Sequence, residues 1–188
     1  MFFFMSSSDK FQLIEKALQI AFEAHRGQTR KDGSPYIYHP VGVAFTLAIN
    51  KFSALTVAAA LVHDVLEDTP YPSKKFRQVL GADMFKIVSA LTVRKSGPWQ
   101  LYKLRYIESV KNGPPAAVAV SLADQINNLE SIISAHAKRG ERVWRMFNGR
   151  REQTLWFAEE MLKIFRTSVN HQLVKEYELL LKKTRKLH

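Results

Sequence analysis

The 188-residue sequence contains no cysteine. This absence excludes a disulfide framework and any zinc site built on thiolate ligands, and it fits a reducing compartment. A membrane-spanning or secretory start is missing too. The apolar start MFFFM is far too short to span a bilayer, and it lacks the basic region and longer apolar core of a secretion signal. We therefore expect a cytoplasmic protein with no membrane partner, whose residues 1–7 form a flexible tail.

Alternation of apolar and polar residues with a period of two, the sign of half-buried strands, is also absent. The chain has no internal repeat, no low-complexity tract and no linker long enough for a domain boundary. Apolar residues make up 46% of it and are well spread, with helical spacing. The sequence thus predicts a single all-α domain over residues 1–188, a bundle of roughly eight to ten helices.

Capping residues and helix breakers set the predicted boundaries. Ser8 or Asp9 caps the first helix, and Ser53 caps the helix that covers residues 55–69. Gly81 divides residues 73–93 into two short helices, and residues 138–147 form another amphipathic helix.

The net charge of +11 favours anionic partners, such as nucleotides, nucleic acid or an acidic membrane, without choosing among them. A basic run supports a helical nucleic-acid-binding module; its members are Arg139, Arg142, Arg145, Arg150 and Arg151. No helix-turn-helix, zinc finger or aromatic stacking motif accompanies this run. We therefore interpret it as a solvated face or a substrate funnel and expect no nucleic-acid partner.

One segment, residues 55–69, joins a core-type helix to a cluster of charge. Its sequence LTVAAALVHDVLEDT begins as an almost unbroken apolar helix, which belongs inside a domain. Four ionisable residues follow: His63, Asp64, Glu67 and Asp68. On a helix, His63 shares a face with Glu67 and Asp64 shares one with Asp68, because residues four apart are neighbours.

The carboxylates of this segment require a positive partner. Charged side chains are almost never buried unless they are paired or metal-bound, and carboxylates in a last turn face the negative end of the helix. No Lys or Arg occurs from residue 53 to residue 72. We expect a cation to be held here; the alternative is a solvated acidic helix end beside a core histidine.

Asp124 lies inside a second long apolar helix, predicted for residues 116–136. An isolated aspartate in so apolar a segment needs a partner, which is either a cation or the N-terminus of another helix. His39, which with Pro40 begins an earlier helix, offers a further polar group from the core.

Four residues together suggest one metal site: His39, His63, Asp64 and Asp124. Two imidazoles and two carboxylates form a mixed nitrogen and oxygen shell that suits manganese, iron or zinc. Such an ion lowers the pKa of a water and polarises a phosphoryl oxygen. Glu67 and Asp68, one turn beyond the His63–Asp64 pair, are placed to orient or deprotonate that water.

Three motifs make the chain recognisable: RKDGSPYIYHPVGVA, LVHDVLEDT and SLADQINNL. They resemble the metal and substrate motifs of HD-domain alarmone hydrolases of the RelA/SpoT type, especially the small single-domain members similar to the metazoan SpoT homologue. The match runs from about residue 25 to residue 128. The resemblance implies an HD-domain helical bundle that hydrolyses the 3′-pyrophosphate of ppGpp or pppGpp to give GDP or GTP.

The resemblance also implies a role for each motif residue. One manganese ion per chain would be held by His39, His63, Asp64 and Asp124. Glu67 and Asp68 would handle the attacking water, and three residues would contact the nucleotide substrate: Arg30, Lys31 and Asn128. The sequence carries no signal for an oligomeric state.

Three positions depart from the family pattern. Asp32 replaces a frequent serine, and the neutral residues Ser121 and Gln125 stand where a basic residue is usual. Two cations are therefore missing near the expected phosphates. The alternative substrates are an adenine alarmone or the 2′-phosphate of NADPH, with the same metal chemistry.

Overall fold

The computed structural model of the protein describes residues 6–146 and 150–187. Within these ranges the chain forms nine α-helices and no β-strand, which confirms the all-α prediction, and none of these helices has the length and apolarity to cross a membrane. The helices are α1 (Ser7–Ala24), α2 (Tyr38–Ile49), α3 (Ala54–Leu61), α4 (Val65–Asp68), α5 (Ser73–Leu91), α6 (Trp99–Lys111), α7 (Pro115–Arg139), α8 (Arg151–Ser168) and α9 (Leu173–Arg185). A 3-10 helix (Gly140–Met146) follows α7.

The cap of helix α1 is Ser6, two residues before Ser8, the first predicted cap. Ser6 accepts a hydrogen bond from the backbone of Asp9, whose carboxylate accepts one from the backbone of Ser6. This reciprocal capping box satisfies two backbone N–H groups at once, which is why it defines the helix start. Ser6 and Ser7, assigned to the predicted tail, therefore belong to the cap and first turn of α1, while residues 1–5 lie outside the described residues.

Helix α7 is the centre of the bundle. It contacts α2, α3, α5, α6, α8 and α9, and every residue from 117 to 126 is buried. A helix that is apolar on all sides belongs in a core, so its valine-rich start forms helix as predicted. Asp124 is consequently carried into the interior of the protein.

The sequence predicts one helix over residues 55–69, but the structure has two. Ser53 caps α3 as expected, yet α3 ends at Leu61 and α4 starts only after a turn at residues 62–64. In this turn Nδ1 of His63 lies 2.7 Å from the carbonyl oxygen of Ala60. The imidazole thus donates to a carbonyl oxygen that, in a continuing helix, would accept the next backbone N–H. The His63–Asp64 pair therefore lies at a corner between two helices.

Two glycines mark the other helix boundaries. Gly81 has φ +86° and kinks α5 at the predicted division. The helix predicted for residues 138–147 is wrong: α7 continues to Arg139, Gly140 ends it with φ +58°, and a 3-10 helix follows. Glycine tolerates these positive φ values without the steric cost of a side chain, which explains both breaks. Residue 147 lies outside the described residues.

The contribution of the Ser53 cap to the stability of the protein can be tested by mutation. Ser53→Ala removes the oxygen that accepts the backbone N–H of Thr56 at 3.2 Å, so the free energy of unfolding should fall by about 1 kcal/mol in urea titrations followed by circular dichroism. Ser53→Asp, which keeps an acceptor, serves as the matched control and should stay near wild type. An alanine variant with the wild-type midpoint would show that the cap contributes nothing.

Candidate metal and nucleotide site

Three side chains from separate helical elements converge in the core. Nε2 of His39, from α2, lies 3.0 Å from Oδ1 of Asp124 on α7, and Nε2 of His63 lies 3.8 Å from the same oxygen. The possible ligand atoms of His39, His63 and Asp124 all lie within 4.8 Å of one another. Oδ2 of Asp64 adds a fourth group, 3.7 Å from Nε2 of His39 and 3.2 Å from Nε2 of His63.

Both imidazoles are oriented as metal ligands require. Nδ1 of His63 faces the Ala60 carbonyl at 2.7 Å, and Nδ1 of His39 faces Oδ1 of Asn127 at 2.7 Å, so each Nδ1 carries the hydrogen. Each Nε2 then points into the cluster, where that of His63 is buried and makes no hydrogen bond. A histidine that donates through one nitrogen and offers the other is the usual arrangement at metal sites. The residues present therefore fit a divalent metal ion.

The electrostatics of the cluster demand positive charge. Burial alone would raise the pKa of Asp64, but the neighbouring His63 outweighs it and holds that pKa below its ordinary value. Burial would likewise lower the pKa of His63, but Asp64 and Asp124 outweigh it and raise that pKa well above its ordinary value. Both shifts show that the carboxylates favour positive charge beside them, and a divalent cation would supply that charge.

Residues of α7 hold the Asp124 carboxylate in place. Nε2 of Gln125 donates to Oδ2 at 2.9 Å, and Nδ2 of Asn128 donates to Oδ1 at 2.8 Å. The guanidinium of Arg30 in turn donates to Oδ1 of Asn128 at 3.4 Å. Two of the predicted substrate contacts are therefore linked by hydrogen bonds to a predicted metal ligand.

The two predicted catalytic carboxylates meet a cation that the sequence did not indicate. Oε1 of Glu67 accepts the Tyr102 hydroxyl at 2.7 Å and lies 3.1 Å from Nζ of Lys95, which also contacts the carboxylate of Asp68. Lys95 comes from the loop after α5. Part of the positive charge expected at this acidic helix end is thus supplied by a lysine of the protein itself. The contact with Tyr102 places Glu67 on the α6 side of the site.

A cavity of about 990 Å³ opens beside this cluster, near the upper end of the volumes typical of ligand pockets. All three predicted substrate residues, Arg30, Lys31 and Asn128, line it. Its other walls include cationic and aromatic side chains: Lys95, Trp99, Tyr102, Lys103, Lys138 and Arg139. A large cavity with this charge suits an anionic ligand with a flat ring, such as a nucleotide.

Two of the positions that depart from the family pattern, Asp32 and Ser121, form contacts with other residues of the protein. The carboxylate of Asp32 accepts hydrogen bonds from the backbone and the hydroxyl of Ser34, at 3.0 and 2.7 Å. The Ser121 hydroxyl lies 3.1 Å from that of Tyr106 in the core. Asp32 therefore shapes its own loop, and Ser121 contributes to helix packing between α6 and α7.

A model of the HD domain matches residues 17–154 of the chain. The chain belongs to the HD-domain family. This confirms the HD-domain fold that the motifs predicted, and the HD domain includes every residue of the cluster.

Relatives of this HD domain include bacterial and animal proteins. The bifunctional (p)ppGpp synthase/hydrolase SpoT of Escherichia coli K12 is 32% identical over 143 residues, which are 73% of this chain and 20% of SpoT. The guanosine-3′,5′-bis(diphosphate) 3′-pyrophosphohydrolase of Mus musculus is 36% identical over 129 residues, which are 66% of this chain and 72% of the mouse protein. The chain spans about a fifth of the length of the first bacterial relatives.

A solved structure resembles the HD domain over its whole length. It is that of a metazoan orthologue of SpoT described as hydrolysing ppGpp, with a TM-score of 0.78 and 25% identity, covering 98% of this chain and 99% of that one. A structure from Listeria monocytogenes has a TM-score of 0.70 and 27% identity and covers 77% of this chain and 97% of its own. The predicted resemblance to HD-domain alarmone hydrolases is confirmed.

Tyr36 is a site residue that the sequence interpretation missed. Its hydroxyl donates to Oδ2 of Asp64 at 2.5 Å and lies 3.3 Å from Oδ2 of Asp68, and its ring stacks on His25 with centroids 4.6 Å apart. Burial and the charge of Asp64 raise the pKa of this tyrosine, so it remains a donor. Tyr36 lies three residues before His39, in the loop that carries Arg30, and this position in the sequence could have indicated a role in the site.

Asn127 is the second residue missed. It receives the Nδ1 hydrogen of His39 at 2.7 Å and so fixes the orientation of this imidazole in the HD domain. Gly42 on α2 makes room for it, because a Cβ at this glycine would lie 3.0 Å from Nδ2 of Asn127. The family resemblance implied a role for Asn128 and none for its neighbour Asn127.

Asn127→Leu should test this role, because it keeps the size of the side chain and removes the acceptor for His39. We expect the dissociation constant for a divalent metal, measured by titration calorimetry, to rise by about 10- to 100-fold. Asn127→Asp, which retains an oxygen acceptor, should bind metal more tightly than the leucine variant. Equal affinities for the wild type and Asn127→Leu would remove Asn127 from the metal site.

Proposed function

We propose that this HD-domain protein is a manganese-dependent hydrolase that removes the 3′-pyrophosphate of ppGpp or pppGpp and releases GDP or GTP, in the cytoplasm. The main support is the convergence of His39, His63 and Asp124 beside a cationic cavity. The mouse relative, of which the chain spans 72%, is named a guanosine-3′,5′-bis(diphosphate) 3′-pyrophosphohydrolase. The predicted metal ligands and the cationic residues of the cavity both support the hydrolysis of a phosphorylated nucleotide.

The metal would be held by His39, His63, Asp64 and Asp124, one ion per chain. Their nitrogen and oxygen donors suit manganese, which when bound acidifies a water and polarises a phosphoryl oxygen. Asn127 and Tyr36 orient two of these ligands through the hydrogen bonds described above. In this proposal the four ligand side chains stay fixed through the reaction and carry no proton of the substrate.

Glu67 and Asp68 would act on the attacking water. Glu67 is held at one oxygen by the Tyr102 hydroxyl at 2.7 Å, and Lys95 contacts both carboxylates. Such contacts restrict the carboxylate of Glu67 to one orientation, which a general base needs if it is to accept the proton of the water as the bond to phosphorus forms. Asp68 would orient the same water.

Arg30, Lys31 and Asn128 would bind the nucleotide. Lys31 lies beside Arg30 on the cavity wall, and partial burial together with the charge of Arg30 lowers the pKa of this lysine. A guanidinium beside an ammonium favours phosphate oxygens, and the Asn128 amide can donate to a ribose or base while it also holds Asp124.

A second candidate keeps the chemistry and changes the nucleotide to an adenine alarmone or NADPH. It is supported by Gln125, a neutral residue beside Asp124 on the cavity wall. A nucleic-acid-binding module has less support, because the guanidinium of Arg151 donates to the carbonyls of Leu187 and Arg185 and so ties α8 to the end of α9.

A turnover screen tests the function directly. With manganese present, the purified protein should release pyrophosphate from ppGpp and pppGpp, and products of pppApp and NADPH should be measured beside them by chromatography. Asp64→Asn replaces a charged ligand by a neutral one and should lose metal and activity together. Asp83→Asn, an exposed carboxylate on α5, is the matched control and should remain active. Full turnover in excess chelator, or turnover of NADPH alone, would contradict the proposal.

Glu67→Gln separates the water-handling role from metal binding. The variant keeps the size of the side chain but cannot accept a proton, so kcat should fall by about 10²–10⁴ while metal content and nucleotide affinity persist. Glu15→Gln, an exposed position on α1, controls for loss of one carboxylate. Loss of the metal from Glu67→Gln would instead make Glu67 a ligand, and an unchanged kcat would leave it a structural residue.

A further inference from the structure

Lys103 on α6 has surroundings unlike those of the other cations in the cavity. Its Nζ lies 4.2 Å from the centroid of the Phe157 ring and 5.0, 5.6 and 5.8 Å from those of Tyr102, Tyr106 and Trp99. The side chain is half-buried and also lines the cavity. Four aromatic rings therefore fix the position of one ammonium group at the cavity wall.

Within residues 6–146 and 150–187, no carboxylate lies within 4.0 Å of this ammonium and no oxygen accepts a hydrogen bond from it. Lys95, on the same cavity, is by contrast engaged with Glu67 and Asp68. Aromatic faces attract a cation but accept its hydrogens poorly. The three donors of Lys103 are consequently held in place without a strong acceptor.

The location of Lys103 relates it to the metal cluster. Burial lowers its pKa, and the charges of Asp124, Glu67 and Asp64 act in the opposite direction, so these carboxylates are near enough to influence it. One turn along α6, Tyr106 reaches Ser121 on α7. The ammonium thus lies on the cavity wall, within electrostatic range of the carboxylates of Asp124, Glu67 and Asp64.

We propose that Lys103 is a substrate-binding residue that contacts the pyrophosphate group, and that the four rings preorganise it for this contact. The inference rests on the proposed function for the identity of the substrate, and it concerns the pyrophosphate at the 3′ position, not the 5′-diphosphate that GDP also carries. A partly desolvated ammonium gains a charge-assisted bond when a phosphate oxygen arrives. The aromatic rings reduce the conformational freedom that the lysine would otherwise lose on binding.

Lys103→Met tests the proposal, since methionine preserves much of the packing against the rings and removes the charge. The probe is inorganic pyrophosphate with manganese, and its dissociation constant is measured by calorimetry for the wild type and variant. We expect a rise of about 10- to 100-fold, the range for loss of a hydrogen bond to a charged group. Affinity for GDP, the product without the 3′-pyrophosphate, should change less than threefold. Lys103→Arg should recover part of the pyrophosphate affinity.

Lys111→Met, at the exposed end of the same helix, is the matched control and should bind pyrophosphate as the wild type does. Unchanged pyrophosphate affinity in Lys103→Met, an equal loss for GDP, or no pyrophosphate binding by the wild type would each overturn the proposal. If the methionine variant does not fold, Lys103→Gln is measured against the same thresholds. Failure of the wild type to hydrolyse ppGpp would reject the proposed function, whereas the pyrophosphate titration would still decide the role of Lys103.

Discussion

The contact between His39 and Asp124, 3.0 Å long and enclosed by the core, is the constraint on which the site depends. A carboxylate inside an apolar bundle is unfavourable unless positive charge or hydrogen bonds meet it. Helix α7 must therefore approach α2 and the turn after α3 closely enough for imidazoles and carboxylates to touch. The packing that stabilises the bundle and the packing that assembles the site are the same, because α7 contacts both elements.

The corner between α3 and α4 shows how a local hydrogen bond serves this arrangement. If the segment had continued as one helix, His63 would present its imidazole from a helix face, and the Ala60 carbonyl would be used by the backbone. In the observed turn the imidazole uses that carbonyl at 2.7 Å and directs its other nitrogen toward Asp64 and Asp124. The orientation of the histidine is thus fixed by main-chain geometry, which tolerates sequence change better than a side-chain partner does.

The sequence predicted correctly those features that depend on interactions between residues close together in the chain. The helices, the Ser53 cap and the Gly81 kink depend on neighbours in the chain, and the motif spacing identified His39 and Asp124 as core polar groups. Lys95 and Asn127 were missed because each acts on residues that are far from it in the sequence. Lys95 acts on residues 27 and 28 positions earlier, and Asn127 acts on a histidine 88 positions earlier. Such pairs exist only once the bundle has folded.

The distribution of charge around the cavity suggests a division of roles between two helices. On α7, Gln125 and Asn128 donate neutral hydrogen bonds to Asp124, so this helix fixes a predicted metal ligand without adding positive charge beside the imidazoles. A cation at Gln125 would compete with a metal ion for the same carboxylate, since both satisfy one demand for positive charge. Near the cluster the cations come from other elements: Lys95 meets the carboxylates of Glu67 and Asp68, and Lys103 faces the cavity. Helix α7 adds cations to the cavity wall only at its C-terminal end, with Lys138 and Arg139. In this arrangement the carboxylates beside the imidazoles would remain available to a metal ion, and the ammonium of Lys103 would remain available to an anionic substrate.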